Sequence, residues 1–350
     1  MAIQGCRNAI EELVVEETNA QILRLSSGVK AKTNIDDISA YALNRLPPMY
    51  ATTRRGYLQQ QKKAYIELKQ EMSQIISRGL IGVKKDTLKD TTPLPESELA
   101  REERSLLQLQ GILGISDLRW RDVPKTLESA LMDIKIKGAV SYSNYQNKAL
   151  RDAANVSGYL KRHSNGIKWK TKNNSKSNLE DSISEMTEMK EFSSYIAPAF
   201  WNFINTLENL VAAIAHRQID KLDPDSQAKV TLEEVSAFAL NRLPPMYATS
   251  ENGLKYWRDR ARNELSTNIL TTVQDGIVTI LKSPSRFLPP LPSDRFYTEQ
   301  EEAMEELKDI LQIADIDWRN VSVVVEDALE QSQKGEFIWI PRNRRNVPMA

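Results

Sequence analysis

Nine residues occur twice. ALNRLPPMY runs from Ala42 to Tyr50 and again from Ala239 to Tyr247, so the chain overlays itself when shifted by 197 residues. From Ser39 to Gly56 the overlay covers 18 positions, of which 14 are identical, and Tyr41/Phe238 and Thr53/Ser250 are conservative changes. The same offset pairs Asn8 with Asn205, Glu11 with Glu208, Leu13 with Leu210, Val14 with Val211 and Gln21 with Gln218, and sets Pro93-Leu-Pro95 on Pro290-Leu-Pro292. One residue further, Trp120-Arg121 meets Trp318-Arg319. Two long copies mean a duplicated domain, because a solenoid would need several short units stacked in series.

Each copy reads as helical. Ile10, Leu13, Val14, Ile22 and Leu25 recur at spacings that share one helical face, and Leu207, Leu210, Val211, Ile214 and Leu222 repeat the pattern. A second helix opens on a capping box, Thr231 with Glu234 three residues on, and Asn34 and Asp37 stand in the matching places. Pro47-Pro48 and Pro244-Pro245 disfavour the α conformation before them, so this helix is expected to stop at Leu46 in the first copy. Gly56 and Gly253 are expected to close the loop with positive φ. A long helix should follow, with Leu254, Trp257, Ala261, Leu265, Ile269, Val273 and Ile280 inward. A shorter helix is expected over Leu99 to Leu113 and Glu299 to Leu311, then a last helical turn near Leu131 and Leu329.

The expected architecture is mainly α: two repeated helical domains of about four to five helices each, joined by a long basic linker and packed as a pseudo-two-fold dimer. Their expected boundaries are 1–134 and 191–333, with the linker at 135–190 and the tail at 334–350, where GEFIWIPRNRR is expected to open as a short strand and continue as a basic stretch. The linker stands out by charge: ten Lys and Arg lie between Lys135 and Asn178 against Asp152 alone, although the 350-residue chain is formally neutral. Interleaved with Tyr142, Tyr145, Tyr159 and Trp169, this composition fits either a solvated connector or a contact surface for single-stranded nucleic acid. No apolar run approaches the length of a membrane span, and the first residues turn acidic before any signal-type stretch, so a cytoplasmic location is expected. Cys6, with His163 and His216 as the only histidines, does not make a usual zinc ligand set, and no metal or cofactor is expected. Neither a P-loop, a dinucleotide-binding glycine turn nor a nucleophile beside a histidine is evident, which argues against an enzyme.

The motifs ALNRLPPMYATTRRG and ALNRLPPMYATSENG resemble the late competence development protein family, ComFB, over roughly 8–133 and 200–330. The resemblance implies a tandem binding protein with no catalytic activity. It also implies, by analogy with cyanobacterial members, a receptor for cyclic di-GMP that acts on competence, motility or cell size through protein partners. The cysteines through which some members are thought to hold zinc have no counterpart here, where the corresponding stretches read KAKTNIDDIS and KVTLEEVS.

Residue chemistry is compatible with that ligand. Two phosphates and two guanines call for guanidinium groups and flat faces, and Arg45, Tyr50, Arg54, Arg55, Arg242 and Tyr247 supply both types around a rigid turn. Asn44, Pro47, Pro48, Gly56, Asn241, Pro244, Pro245 and Gly253 form the structural part of the motif. Glu251 and Asn252 replace the arginine pair in the second copy, which should therefore bind the nucleotide weakly. Structural readings compete: Arg45 and Arg242 can neutralise the carbonyl end of a helix, Tyr50 and Tyr247 can bury their rings, and Trp120 and Trp318 can be core anchors. Two other functions remain open, a protein-interaction scaffold without a small ligand and nucleic-acid binding through the linker. The partners expected are thus the cyclic dinucleotide, a protein, and either the other copy or a second chain, with no membrane.

Overall fold

A computed structural model describes residues 3–82, 92–137, 177–283, 289–337 and 339. Most of the expected linker, and the tail beyond Trp339, lie outside these residues, as does most of the expected strand.

The leading part of each copy begins with a two-residue strand, β1 (Arg7–Asn8), and a helix, α1 (Glu11–Leu23), whose first-turn acids Glu11 and Glu12 suit the positive end of the helix dipole. After a short turn α2 (Ser27–Lys30) comes α3 (Ile35–Leu43), capped by Asn34, whose side chain accepts from the Asp36 N–H at 2.8 Å. The next strand, β2 (Tyr50–Ala51), runs antiparallel to β1 with Asn8 opposite Tyr50. Helix α4 (Arg54–Lys63) continues through a π-helical stretch, Ala64–Leu68, into α5 (Lys69–Gly82). Helices α1, α3 and α5 pack on one another.

Helix α3 ends at Leu43 rather than Leu46, because the chain tightens before the prolines: Arg45 N–H already bonds the Ala42 carbonyl, three residues back. Neither Gly56 nor Gly253 closes the loop with positive φ: each is the third residue of the helix that follows, Gly56 in α4. There it donates its N–H to the Thr53 hydroxyl at 3.1 Å, and a β-carbon at that position would stand 3.0 Å from the same oxygen. Close approach to the cap, rather than backbone handedness, is what favours glycine here.

Beyond α4 and α5, the first copy adds α6 (Glu96–Leu99), α7 (Glu102–Leu113), a 3₁₀ turn at Trp120–Asp122 and α8 (Val123–Lys137). Helix α9 (Ser177–Ile196) then leads into the second copy: β3 (Ile204–Asn205), α10 (Thr206–Ile219), α11 (Pro224–Gln227), α12 (Leu232–Leu240), β4 (Tyr247–Ala248), α13 (Glu251–Glu264), α14 (Ser266–Lys282), α15 (Asp294–Leu311) and α16 (Val321–Lys334). The Thr231 cap forms as expected, accepting from the Glu234 N–H at 3.3 Å. The single long helix expected after the loop is interrupted in both copies at one equivalent place, by the π stretch before Lys69 and by a break at Leu265, whose φ is −116°. The expected helix from Leu99 is divided, with its main part starting at Glu102, and its counterpart begins earlier than expected, at Asp294. The expected final turns near Leu131 and Leu329 are full helices.

The chain separates into two compact units, and neither is one copy of the repeat. Residues 1–99 and 201–294 form the first, which thus contains the leading part of both copies; 100–200 and 295–350 form the second. In the second unit α7, α8, α9, α15 and α16 share one apolar core containing Leu106, Leu127, Trp120, Tyr195, Phe296 and Leu307. Trp120 is fully buried and donates its indole N–H to Tyr195 Oη at 2.9 Å, which satisfies its polar atom. Trp318, expected as its twin, is only partly buried under the Arg319 guanidinium, 4.3 Å from the ring centroid. Nearby, Arg119 is 8% exposed and bonds both Glu188 and Glu299. That hydrogen bond from Arg119, only partly opposed by burial, holds the Glu188 carboxyl below the ordinary carboxylate range.

Candidate functional site

In the first unit the repeated motif of each copy is spent on the other copy. Asn44, the residue that ends α3, takes the Tyr247 N–H on its Oδ1 at 2.6 Å and donates its Nδ2 to the Tyr247 carbonyl at 2.9 Å. Asn241 does the same to Tyr50, with the same two distances. A side-chain amide here completes the edge of a two-residue strand as another strand would, and it does so in both directions.

The tyrosine side chains continue the exchange. Tyr50 and Tyr247 are 4% and 2% exposed. Tyr50 donates its hydroxyl to Glu208 Oε1 at 2.7 Å and receives the Asn205 amide at 2.9 Å. Tyr247 donates to Glu11 Oε1 at 2.5 Å and receives the Asn8 amide at 3.0 Å. The two asparagines are held in turn by their own copies, since Asn8 Oδ1 accepts the Met49 N–H at 3.0 Å and Asn205 Oδ1 accepts the Met246 N–H at 3.2 Å. Burial, reinforced by Glu208, Tyr247 and Glu11, pushes the Tyr50 phenol well above its usual range; for Tyr247 burial comes first, then Glu11 and Glu208. Both phenols therefore stay protonated donors. Cys6 lies buried in the same region, where burial first and then Glu208, Glu233 and Glu11 push its thiol up, so it is a neutral packing group rather than a nucleophile.

A second exchange involves the proline segments. Thr53 forms an antiparallel bridge with Pro290, and Pro93 forms one with Ser250. Arg54 N–H points at the Pro289 and Pro290 carbonyls, both at 3.2 Å, and Glu251 N–H donates to Thr92 at 3.3 Å. Leu94 and Leu99 of the first copy pack with Ile204, Ala248 and Leu254 of the second. Each copy thus straps the start of the other's post-motif helix.

The six residues expected around a ligand are placed in three different ways. Tyr50 and Tyr247 are interior, with their hydroxyls occupied, so neither offers a ring face to solvent. Arg45 and Arg242 lie on the surface but fold back on their own helices: Arg45 donates to the Tyr41 carbonyl at 2.9 Å with its guanidinium 3.5 Å from the Tyr41 ring, and Arg242 repeats this at 2.9 Å and 3.4 Å on Phe238. This is the helix-end role weighed for them in the sequence, strengthened by a cation–π contact. Arg54 and Arg55 alone are exposed at the first turn of a helix, and in the second copy Glu251 and Asn252 are exposed at those positions. The prolines of the motif form the turn that carries Met49 and Met246, both buried, into the core.

Sequence reasoning passed over Asn8, Glu11, Asn205 and Glu208 as site residues. The signal was present as polar identities preserved at the 197-residue offset, but Asn205 caps its own helix through the Leu207 N–H at 3.2 Å, and a capping asparagine with first-turn acids reads as an ordinary helix start. Among the described residues, no group of three or more metal-ligating side chains is assembled and no helix is long and apolar enough to cross a membrane. None of the curated proteins compared with the chain matches it. The family model described as late competence development protein ComFB matches twice, over residues 7–87 and 204–284.

Proposed function

Because the chain carries two ComFB domains in tandem, we propose that it is a non-enzymatic signalling protein whose two copies together make one receptor for cyclic di-GMP. In this reading it acts on competence, motility or cell size through a protein partner in the cytoplasm. The observation that carries the reading is the exposed pair Arg54–Arg55 at the start of α4, present in one copy only. Two guanidinium forks can grip phosphate oxygens in a bidentate manner, and the positive end of α4 adds to their field. Arg54 N–H is already turned to the Pro289 and Pro290 carbonyls and Gly56 N–H is on Thr53, so the phosphate would rest mainly on side chains.

Isothermal titration of the whole protein with cyclic di-GMP, cyclic di-AMP, GTP and GMP tests this. One cyclic di-GMP site per chain is expected. Replacing Arg54 and Arg55 by alanine should weaken binding by about tenfold or more, the scale of a lost charge-assisted bond, while changing Glu251 and Asn252 to alanine leaves it intact. Absence of heat with cyclic di-GMP at high micromolar concentration would sink the receptor reading.

A scaffold without a small ligand is the second reading, favoured by the burial of both motif tyrosines between the copies. It predicts silent titrations with a folded protein. Binding of nucleic acid through the basic segment is the third, and a salt-dependent shift of a labelled oligonucleotide by the full chain, lost when lysines 168, 170 and 172 are neutralised, would support it.

A further inference from the structure

The helix after the motif differs between the copies in a way that folding does not require. Along α4 and the π stretch the first copy exposes Leu58, Tyr65 and Ile66, at 53%, 57% and 67%. The second copy carries Lys255, Arg262 and Asn263 at these positions, all exposed. Large apolar side chains in water cost solubility and contribute nothing to a core, and the second copy has polar side chains at these three positions, with Tyr256, 57% exposed, beside the first of them. Leu58 is seven and eight residues from Tyr65 and Ile66, two helical turns away, so the three project from neighbouring parts of one solvent face. The π stretch Ala64–Leu68 widens the helix just where Tyr65 and Ile66 sit side by side, and such local widening is often associated with function.

Cations surround this apolar strip. Lys62, Lys63 and Lys69 are exposed, against Glu67 as the acid within the same stretch. Lys69 Nζ lies 4.6 Å from the Tyr65 ring centroid and 3.1 Å from its hydroxyl, while Lys63 reaches Glu67 at 4.0 Å. An apolar strip with a cationic rim is complementary to an amphipathic helix whose apolar residues are flanked by carboxylates. Of the three side chains Tyr65 alone offers a stacking plane, and the branched Leu58 and Ile66 on either side of it disfavour a nucleic-acid occupant.

We propose that the outer face of α4 and the π stretch, centred on Leu58, Tyr65 and Ile66, is a docking surface for an acidic amphipathic helix of another protein, present on the first copy only. This surface does not depend on nucleotide binding. Its test uses the whole protein and a labelled helical peptide with leucines at i, i+3, i+4 and i+7 and glutamates on its other faces. Polyglutamate, single-stranded DNA and anionic vesicles are the comparison probes. Micromolar binding of the peptide and little of polyglutamate are expected.

The triple change Leu58→Lys, Tyr65→Arg and Ile66→Asn imports the second copy's own residues. It should leave the circular dichroism spectrum and the melting temperature near those of the parent, and weaken peptide binding by about tenfold or more, as loss of a central apolar cluster does. The reverse graft, K255L with R262Y and N263I, should not by itself create a second peptide site, because Asp259 and Ser266 stand where the first copy has Lys62 and Lys69. Failure of the parent protein to bind the peptide, equal binding by the triple variant, or a preference for DNA or vesicles would overturn the proposal. Cyclic di-GMP titration of the same triple variant keeps the two ideas apart, because the nucleotide reading predicts unchanged heat there.

Discussion

Asn44 and Asn241 hold the opposite copy's tyrosine backbone with the same pair of distances, 2.6 and 2.9 Å, whereas the helices that follow share few outward residues. Arg54, Arg55, Leu58, Tyr65 and Ile66 of the first copy correspond in sequence to Glu251, Asn252, Lys255, Arg262 and Asn263 of the second. The difference teaches which constraints are mutual. A residue that bonds its counterpart copy is locked twice, because changing it breaks a contact whose mirror image stays; a residue facing solvent can diverge in one copy without consequence for the other.

The strongest test of mutual locking is Asn44→Ala with Asn241→Ala. Each change strands a backbone N–H and a carbonyl in a largely buried place, at about 1–3 kcal/mol for each orphaned group. Urea unfolding should show comparable losses for the two single variants and a much larger one for the pair. Unequal single losses would break the comparison.

Next in size come Tyr50→Phe and Tyr247→Phe. Each removes a hydroxyl that serves both an asparagine and a glutamate, and each should cost about 1–3 kcal/mol. They also carry a pH signature. The folded phenols titrate above their unfolded value of about 10, so their stabilisation is complete below that pH and is lost as pH rises above it. Alkaline melting should therefore be less steep in the double phenylalanine variant than in the parent.

Transplanting the arginine pair sharpens the comparison on the functional side. Glu251→Arg with Asn252→Arg should raise cyclic di-GMP stoichiometry from one to two per chain in a titration, if the pair is sufficient for binding. The smallest effect belongs to Gly56→Ala and Gly253→Ala. Their β-carbons would meet the capping hydroxyls at 3.0 and 3.1 Å, and the cap energy lost, about 1 kcal/mol, is partly offset by alanine's better helix propensity. Thermal melts should thus shift little, and by similar amounts.

The helical character, the duplication and the Thr231 cap were legible in the sequence because each depends on neighbours in the chain. The ComFB domains were legible because nine contiguous residues carry the motif. Reciprocal contact was harder to read. With Asn44 identical to Asn241 and Tyr50 to Tyr247, a bond within a copy and a bond between copies leave the same trace. Burial of the two tyrosines followed from their place beside a turn, yet their partners, Glu208 and Glu11, are 158 and 236 residues away in sequence. Gly56 was misread since a glycine that admits a close oxygen looks the same as one that allows a left-handed turn. The unequal burial of Trp120 and Trp318 was hidden for the opposite reason: identical residues sit in surroundings that have diverged.

The straps across the two copies have a consequence for how the chain is made. Tyr50 leaves the ribosome long before Asn241, Asn205 and Glu208 exist, and at about 5–20 residues per second the wait is about 10–40 s. Throughout that interval the first copy holds an unsatisfied tyrosine edge, an open strap and an exposed apolar patch. Nascent chains on one message would then carry identical, self-complementary half-interfaces at close range. The order of synthesis, rather than the final energy, becomes the point at which the first copy either finds its own second half or pairs with a neighbour's.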